Sequence, residues 1–204
     1  MTEKLIQGTP EWINARCGMV GASNMSDMMA GGKELTRKRL LVRIVTERLT
    51  GIPEESFTSQ AMRWGIDTEP QARAAYEFLR DAMVETTGFH KHPSIDGFGA
   101  SPDGLVGDDG LIEIKCPNST THVATIESGK IDTGYLLQMQ WQMACTGRKW
   151  CDFVSFDPRM PAGLEMYCVR LDRDNARITE LEQAAIQFNN DVADMIERLH
   201  MRLA

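Results

Sequence analysis

The chain has 204 residues, 42% of them apolar and 25% charged, with a formal net charge of −7. That is the size of one large domain. No low-complexity tract, internal repeat or apolar run near the ~18 residues of a membrane helix occurs, which excludes a disordered chain and argues against a membrane partner. The opening Met1-Thr2-Glu3-Lys4 lacks the pattern of a signal peptide. Five Cys are scattered without a CxxC pair, so reduced thiols in a cytoplasmic protein are expected rather than disulfides or zinc. The acidic balance speaks against nucleic acid only as a whole-surface property, since binding uses the local field.

Thr9-Pro10-Glu11 predicts an N-cap with Pro in the first turn of a short helix ending at Arg16. Ser23 is expected to cap a second short helix through Met29. Positions 36–49 predict a longer helix with Leu40, Leu41, Ile44, Val45 and Leu49 near helical period. Lys33, Arg37, Lys38, Arg39, Arg43 and Arg48 fall in or beside it, against Glu34 and Glu47. Gln60 to Trp64 leads to Glu69-Pro70 and a helix running to about Arg80. Strands are predicted at 82–90, 98–103 and 111–116, then a helix capped by Asn118-Ser119-Thr120 and another over 135–145. Strands at 150–156 and 164–171 precede a long terminal helix over 174–203, carrying Glu180, Glu182, Asp191, Asp194 and Glu197. The charge asymmetry permits a basic DNA-facing side and an acidic outer side. The layout is a single α/β domain spanning 1–204.

The densest chemistry lies in Ser101-Pro102-Asp103-Gly104 and in Glu113-Ile114-Lys115-Cys116-Pro117. In a strand over 111–116, Glu113 and Lys115 share one face and Ile112 and Ile114 the other. The Gly- and Asp-rich link from Gly104 to Gly110 predicts a tight hairpin. A hairpin returns Glu113 and Lys115 alongside Asp103. Two carboxylates offer the hard oxygen ligands that Mg²⁺ takes, and a neighbouring Lys can orient a water or accept its proton. The alternative is a salt-bridge cluster on an exposed strand.

These motifs resemble those of the lambda exonuclease family, the YqaJ-like viral recombinases of the PD-(D/E)XK nuclease superfamily. The resemblance continues in Trp12-Ile13-Asn14-Ala15-Arg16 with Gly21-Ala22-Ser23, in Trp64-Gly65-Ile66-Asp67-Thr68-Glu69, in Gln138-Met139-Gln140 and in Phe156-Asp157-Pro158-Arg159-Met160. It runs in order from about Glu11 to Val169. It implies a restriction-endonuclease-like fold, with a mixed central β-sheet flanked by helices.

By resemblance, Asp103, Glu113 and the backbone carbonyl of Ile114 are ligands of Mg²⁺, with Mn²⁺ as a substitute. Lys115 activates or positions the attacking water. Glu69 helps to hold a second metal or its waters, and Gln140, rather than Gln138, hydrogen-bonds near the metal site. Arg16, Ser23 and Ser101 match a 5′-phosphate pocket, which suits the planar fork of Arg. Trp12, Lys33 and Arg37 are weaker DNA-contact candidates. Met62 is either an apolar wedge at the terminal base pair or core filler.

The implied activity is a processive 5′-to-3′ exonuclease on linear double-stranded DNA. It releases 5′-mononucleotides and leaves a 3′ single strand for phage-type recombination. The implied assembly is a homotrimeric ring that works with a single-strand annealing protein, in the cytoplasm of a bacterial host carrying a phage or prophage. Two alternatives are a site-specific endonuclease on the same fold and a non-catalytic DNA-binding assembly protein with a relic site.

Overall fold

The computed structural model describes residues 8–30, 34–54 and 59–203. Helix α1 (Pro10–Ala15) is capped by the Thr9 side chain, which accepts from the Trp12 N–H, with Pro10 in the first turn. The chain then runs through β1 (Val20–Gly21), a 3₁₀ turn (Ala22–Asn24), α2 (Met25–Met28), α3 (Glu34–Thr50) and α4 (Gln60–Arg80). Strands β2 (Val84–Glu85), β3 (His90–Lys91), β4 (Phe98–Ala100), β5 (Gly104–Val106) and β6 (Gly110–Lys115) follow. Helices α5 (Ser119–Ser128) and α6 (Thr133–Thr146), strands β7 (Trp150–Phe156) and β8 (Met166–Asp172), and α7 (Asn175–Leu203) complete the order.

The strands form two mixed sheets where one was expected. The larger has the order β2-β5-β6-β7-β8, with β6 and β7 parallel and its other pairs antiparallel. The smaller has the order β1-β4-β3. The predicted strand over 82–90 is therefore two short pieces, β2 in one sheet and β3 in the other. Likewise β4 ends at Ala100, and Ser101-Pro102-Asp103 carries the chain from the small sheet to the large one.

Two apolar clusters sandwich the large sheet. Phe98, Leu111, Trp141, Phe153, Leu181 and Phe188 belong to the larger one, which α3, α6 and α7 help to build. Ala72 and Tyr76 of α4 pack with Ile112, Ile114, Val154 and Phe156 in the smaller. The alternation of β6 thus sends Ile112 and Ile114 to the α4 side and leaves Leu111 and Glu113 on the α6 side, as strand geometry requires. On the α4 side the buried Asp152 accepts from Tyr76 Oη at 2.8 Å and from both forks of Arg170 at 2.8 and 2.9 Å.

The basic run and the acidic terminal helix do not lie on opposite sides. They pack against each other, and Arg37 pairs with Asp191 at 2.6 Å while lying 5.3 Å from the Phe188 ring. Arg48 donates to the Gly18 carbonyl at 2.9 Å and to Asn189 at 3.0 Å. Ser23 caps no α-helix. It lies within the 3₁₀ turn, and Asn24 holds the position before α2. Among the described residues all five cysteines are free thiols, and no helix is long and apolar enough to cross a membrane.

Candidate active site

The β5–β6 hairpin turns over Gly107–Asp109, with Gly104 opposite Ile112. The preceding residue, Asp103, is thereby brought level with Glu113. Its Oδ2 accepts from the Ile114 N–H at 2.7 Å. Glu113 is 1% exposed, and its Oε1 lies 2.5 Å from Lys115 Nζ. The Lys115 ammonium also sits 4.9 Å from the centre of the Tyr135 ring. Burial alone would lower the Lys115 pKa, but the carboxylates of Glu113 and Asp103 outweigh it and hold the ammonium above its ordinary value. Burial raises the Asp103 carboxyl well above the usual range, and the Glu113 charge raises it further.

Helix α6 closes one side of this group. Gln138 donates to Glu113 Oε1 and Gln142 to Glu113 Oε2, both at 2.6 Å. Residues four apart share a helix face, whereas residues two apart do not. Gln140 accordingly points away. Its amide donates to the Asp172 carbonyl and accepts from the Asp174 N–H, both at 2.9 Å, tying α6 to the start of α7. The place expected for Gln140, beside the site carboxylates, is thus taken by Gln138, with Gln142 next to it on Glu113.

On the other flank α4 runs unbroken through Pro70, so Glu69 is a mid-helix residue rather than a helix-start acid. Glu69 pairs with Arg73 at 2.5 Å, and Arg73 also donates to the Asp103 carbonyl at 3.2 Å. Burial raises the Glu69 pKa. Arg73 opposes this, and the charge of Glu113 adds to it. The spacing of Glu69 and Arg73 was readable as a helical ion pair. The link from Arg73 to Asp103 required the fold.

The donor set fits Mg²⁺. Among the described residues no cluster of three or more His, Cys, Asp or Glu side chains converges as a cage. Mg²⁺ is usually held by one or two carboxylates with waters completing its shell. Asp103 and Glu113 supply two, Glu113 buried and Asp103 half-buried, crowded enough that each would gain from a neighbouring cation. Glu69 feels the charge of Glu113 but stays paired with Arg73.

A second group adjoins the first. Trp12 Nε1 donates to Ser101 Oγ at 3.1 Å, and the Arg16 guanidinium lies 3.9 Å from the centre of the Trp12 ring. Burial lowers the Arg16 pKa, the charge of Arg43 lowers it further, and Glu47 opposes them. The Glu47 oxygens are committed elsewhere, to the Gly18 N–H at 2.8 Å and the Glu54 N–H at 3.2 Å. A Cβ on Gly21 would come within 2.7 Å of Arg16 Nη2, so the missing side chain makes room for the guanidinium. Arg43 approaches from α3 and donates to Asn24 at 3.1 Å. Gly21 stood out in the sequence only within its motif and Arg43 only within the basic run; their places beside Arg16 depend on packing between distant segments. Ser23 is exposed in the turn after Gly21.

The weaker DNA-contact candidates separate. Arg37 pairs with Asp191 at 2.6 Å, with about a third of each side chain exposed. Lys33 lies outside the described residues. Met62 is 51% exposed in the first turn of α4, which removes the core-filler alternative. Nearby, Arg159 stacks 4.3 Å from the Trp64 ring and bonds the buried Asp157 through Nε at 2.7 Å and Nη2 at 3.0 Å.

The family model for the YqaJ-like viral recombinase domain matches residues 11–149. An alkaline exonuclease from Laribacter hongkongensis is 46% identical to the chain, with a TM-score of 0.90 over 96% of this chain and 98% of that one. The same exonuclease in complex with dAMP is 47% identical with a TM-score of 0.90, over 96% of this chain and 100% of that one. A phage-related exonuclease from Haemophilus somnus 129PT is 17% identical with a TM-score of 0.72, over 89% and 96% of the two chains, a likeness of fold. No curated protein sequence matches the chain.

Proposed function

Because the chain belongs to the YqaJ-like viral recombinase family, we propose that it is a Mg²⁺-dependent exonuclease that digests linear double-stranded DNA from its 5′ ends. One observation carries this reading. The Asp103–Glu113–Lys115 group and the Arg16–Trp12–Ser101 group adjoin, with only Pro102 between Ser101 and Asp103. A relative solved with dAMP, a deoxynucleoside monophosphate, is consistent with release of mononucleotides.

Asp103, Glu113 and the Ile114 carbonyl would hold Mg²⁺, or Mn²⁺ in its place, with Glu69 near a second ion or its waters. The bound ion supplies Lewis-acid polarisation of the phosphate and a water of lowered pKa. Lys115 is held as an ammonium by its carboxylate neighbours, so it orients the attacking water and faces the scissile phosphate with positive charge. Arg16, buttressed by the Trp12 ring, grips the terminal 5′-phosphate, and Ser101 and Ser23 add hydroxyl donors. Met62, exposed at the start of α4, is the wedge against the terminal base pair. A 3′ single strand is left for an annealing protein. Processivity comes from a homotrimeric ring around the duplex, in the cytoplasm of a bacterium carrying a phage or prophage.

A site-specific endonuclease has no strand end to grip, so the Arg16 group counts against it. A non-catalytic assembly protein has no need of a buried Glu113 held against Asp103 and Lys115. The test is nucleotide release from linear duplexes ending in 5′-phosphate or 5′-hydroxyl, with Mg²⁺ or with chelator. Wild type should digest the phosphorylated end faster and only with Mg²⁺, and Asp103→Ala and Lys115→Ala should be inactive yet folded. Full activity in Asp103→Ala, equal rates on the two ends with Mg²⁺, or nucleotide release in chelator would overturn the assignment.

A further inference from the structure

Helix α6 buries Leu137, Met139, Trp141, Met143 and Ala144 in the core, on more than one of its sides. Gln142 is an amide with no exposed surface in the same helix. A buried amide is costly unless its donors and acceptor are met. Its Nε2 donates to Glu113 Oε2 at 2.6 Å, and its Oε1 lies 4.0 Å from Cys151 Sγ, close enough to accept the thiol proton. The Glu113 carboxylate only accepts, so it sets the orientation of the amide, with its NH₂ toward β6 and its carbonyl toward Cys151 of β7. Gln138 and Lys115 both address the other carboxylate oxygen, Oε1.

From this geometry we propose that Gln142 is a positioning residue that fixes the carboxylate plane of Glu113 for cation binding. The inference rests on the metal-site reading given above and extends it to a side chain that touches neither metal nor DNA. A carboxylate has about four acceptor positions. Gln138, Lys115 and Gln142 fill three, so Glu113 keeps one for a cation and cannot rotate without breaking a buried hydrogen bond. Without Gln142, Oε2 loses its donor and Glu113 is anchored from one side only. Partners that orient metal ligands in this way typically account for roughly 10–100-fold in affinity.

The experiment is calorimetric titration of Mn²⁺ into the DNA-free full-length protein, with the melting temperature measured in chelator and in saturating Mn²⁺. Gln142→Met keeps the volume and removes the donor. Gln142→Asn keeps an amide but withdraws it by one methylene, and serves where the first variant fails to fold. Either folded variant should bind Mn²⁺ roughly 10–100-fold more weakly than wild type and show a smaller Mn²⁺-induced rise in melting temperature. Binding of duplex DNA in chelator should be unchanged. A folded variant that melts lower but binds Mn²⁺ as tightly as wild type would reduce Gln142 to core filler and overturn the proposal. Asp103→Ala in the same titration separates this from failure of the site itself. If Asp103→Ala keeps wild-type Mn²⁺ affinity, the metal-site reading falls. If Asp103→Ala loses binding and the Gln142 variants do not, only the positioning role falls.

Discussion

Gly21→Ala separates the stability of the fold from the placement of Arg16. Gly21 has φ −86° and ψ 165°, a conformation that any L-residue adopts, so alanine brings no backbone strain. On that ground alone it should stabilise the folded chain by about 0.4–1 kcal/mol, through lower entropy of the unfolded state. The new Cβ, however, would stand 2.7 Å from Arg16 Nη2. Ordinary contact begins at 3.4 Å, so the guanidinium must retreat by about 0.7 Å, and it is the far end of a flexible side chain. The Trp12 ring lies 3.9 Å from the guanidinium carbon and limits where it can go. Misplacement of a gripping group by about 1 Å can cost up to ~10²-fold in rate. Gly21→Ala should therefore keep or raise the melting temperature while reducing the preference for a 5′-phosphate end by roughly tenfold or more. The assay is initial nucleotide release from paired duplexes differing only in the terminal phosphate, alongside thermal unfolding. An unchanged preference in a folded Gly21→Ala protein would refute the assignment of Arg16 to the strand end.

Asp103→Asn should abolish cleavage but raise the melting temperature in chelator. The folded carboxyl titrates above its unfolded value of about 3.9, so the folded state holds more protons between those values and loses stability as pH rises through them. By the same sign, the melting-temperature gain from Mg²⁺ in wild type should grow as pH rises, and a pH-independent gain would contradict it. Tyr76→Phe removes a 2.8 Å hydrogen bond to the buried Asp152 and should destabilise the fold by about 1–3 kcal/mol in urea unfolding, with nuclease activity retained below the transition. Sedimentation should give about three times the 22.9 kDa chain mass, and a stable monomer that digests processively would exclude the ring.

The chemistry of the site was legible where it is local. Alternation in 111–116 places Glu113 and Lys115 together whatever the fold, and the glycines of the link announce the hairpin that returns them to Asp103. Legibility ends where long-range packing decides. Helix α6 carries glutamines at 138, 140 and 142, and helical period groups the first with the third. Which pair faces Glu113, and which residue faces α7, depends on how α6 is rotated against the sheet. The basic run around Arg37 is visible in the sequence, but its partner Asp191 is 154 residues away. The predicted strand over 82–90 divides because its two ends belong to different sheets, a topological fact without a local signal.

The passage from the small sheet to the large one has a consequence for product size. Ser101 follows β4 and Asp103 precedes β5, so their separation is a covalent constant of two residues, at most ~7 Å. On the reading proposed here, one end of that segment touches the terminal phosphate and the other belongs to the group that attacks the next phosphodiester. The backbone then works as a gauge whose increment is one nucleotide, set by chain length and not by the identity of any base. A single residue inserted after Ser101 would alter the increment rather than merely the rate, shifting the products from mononucleotides toward short oligonucleotides.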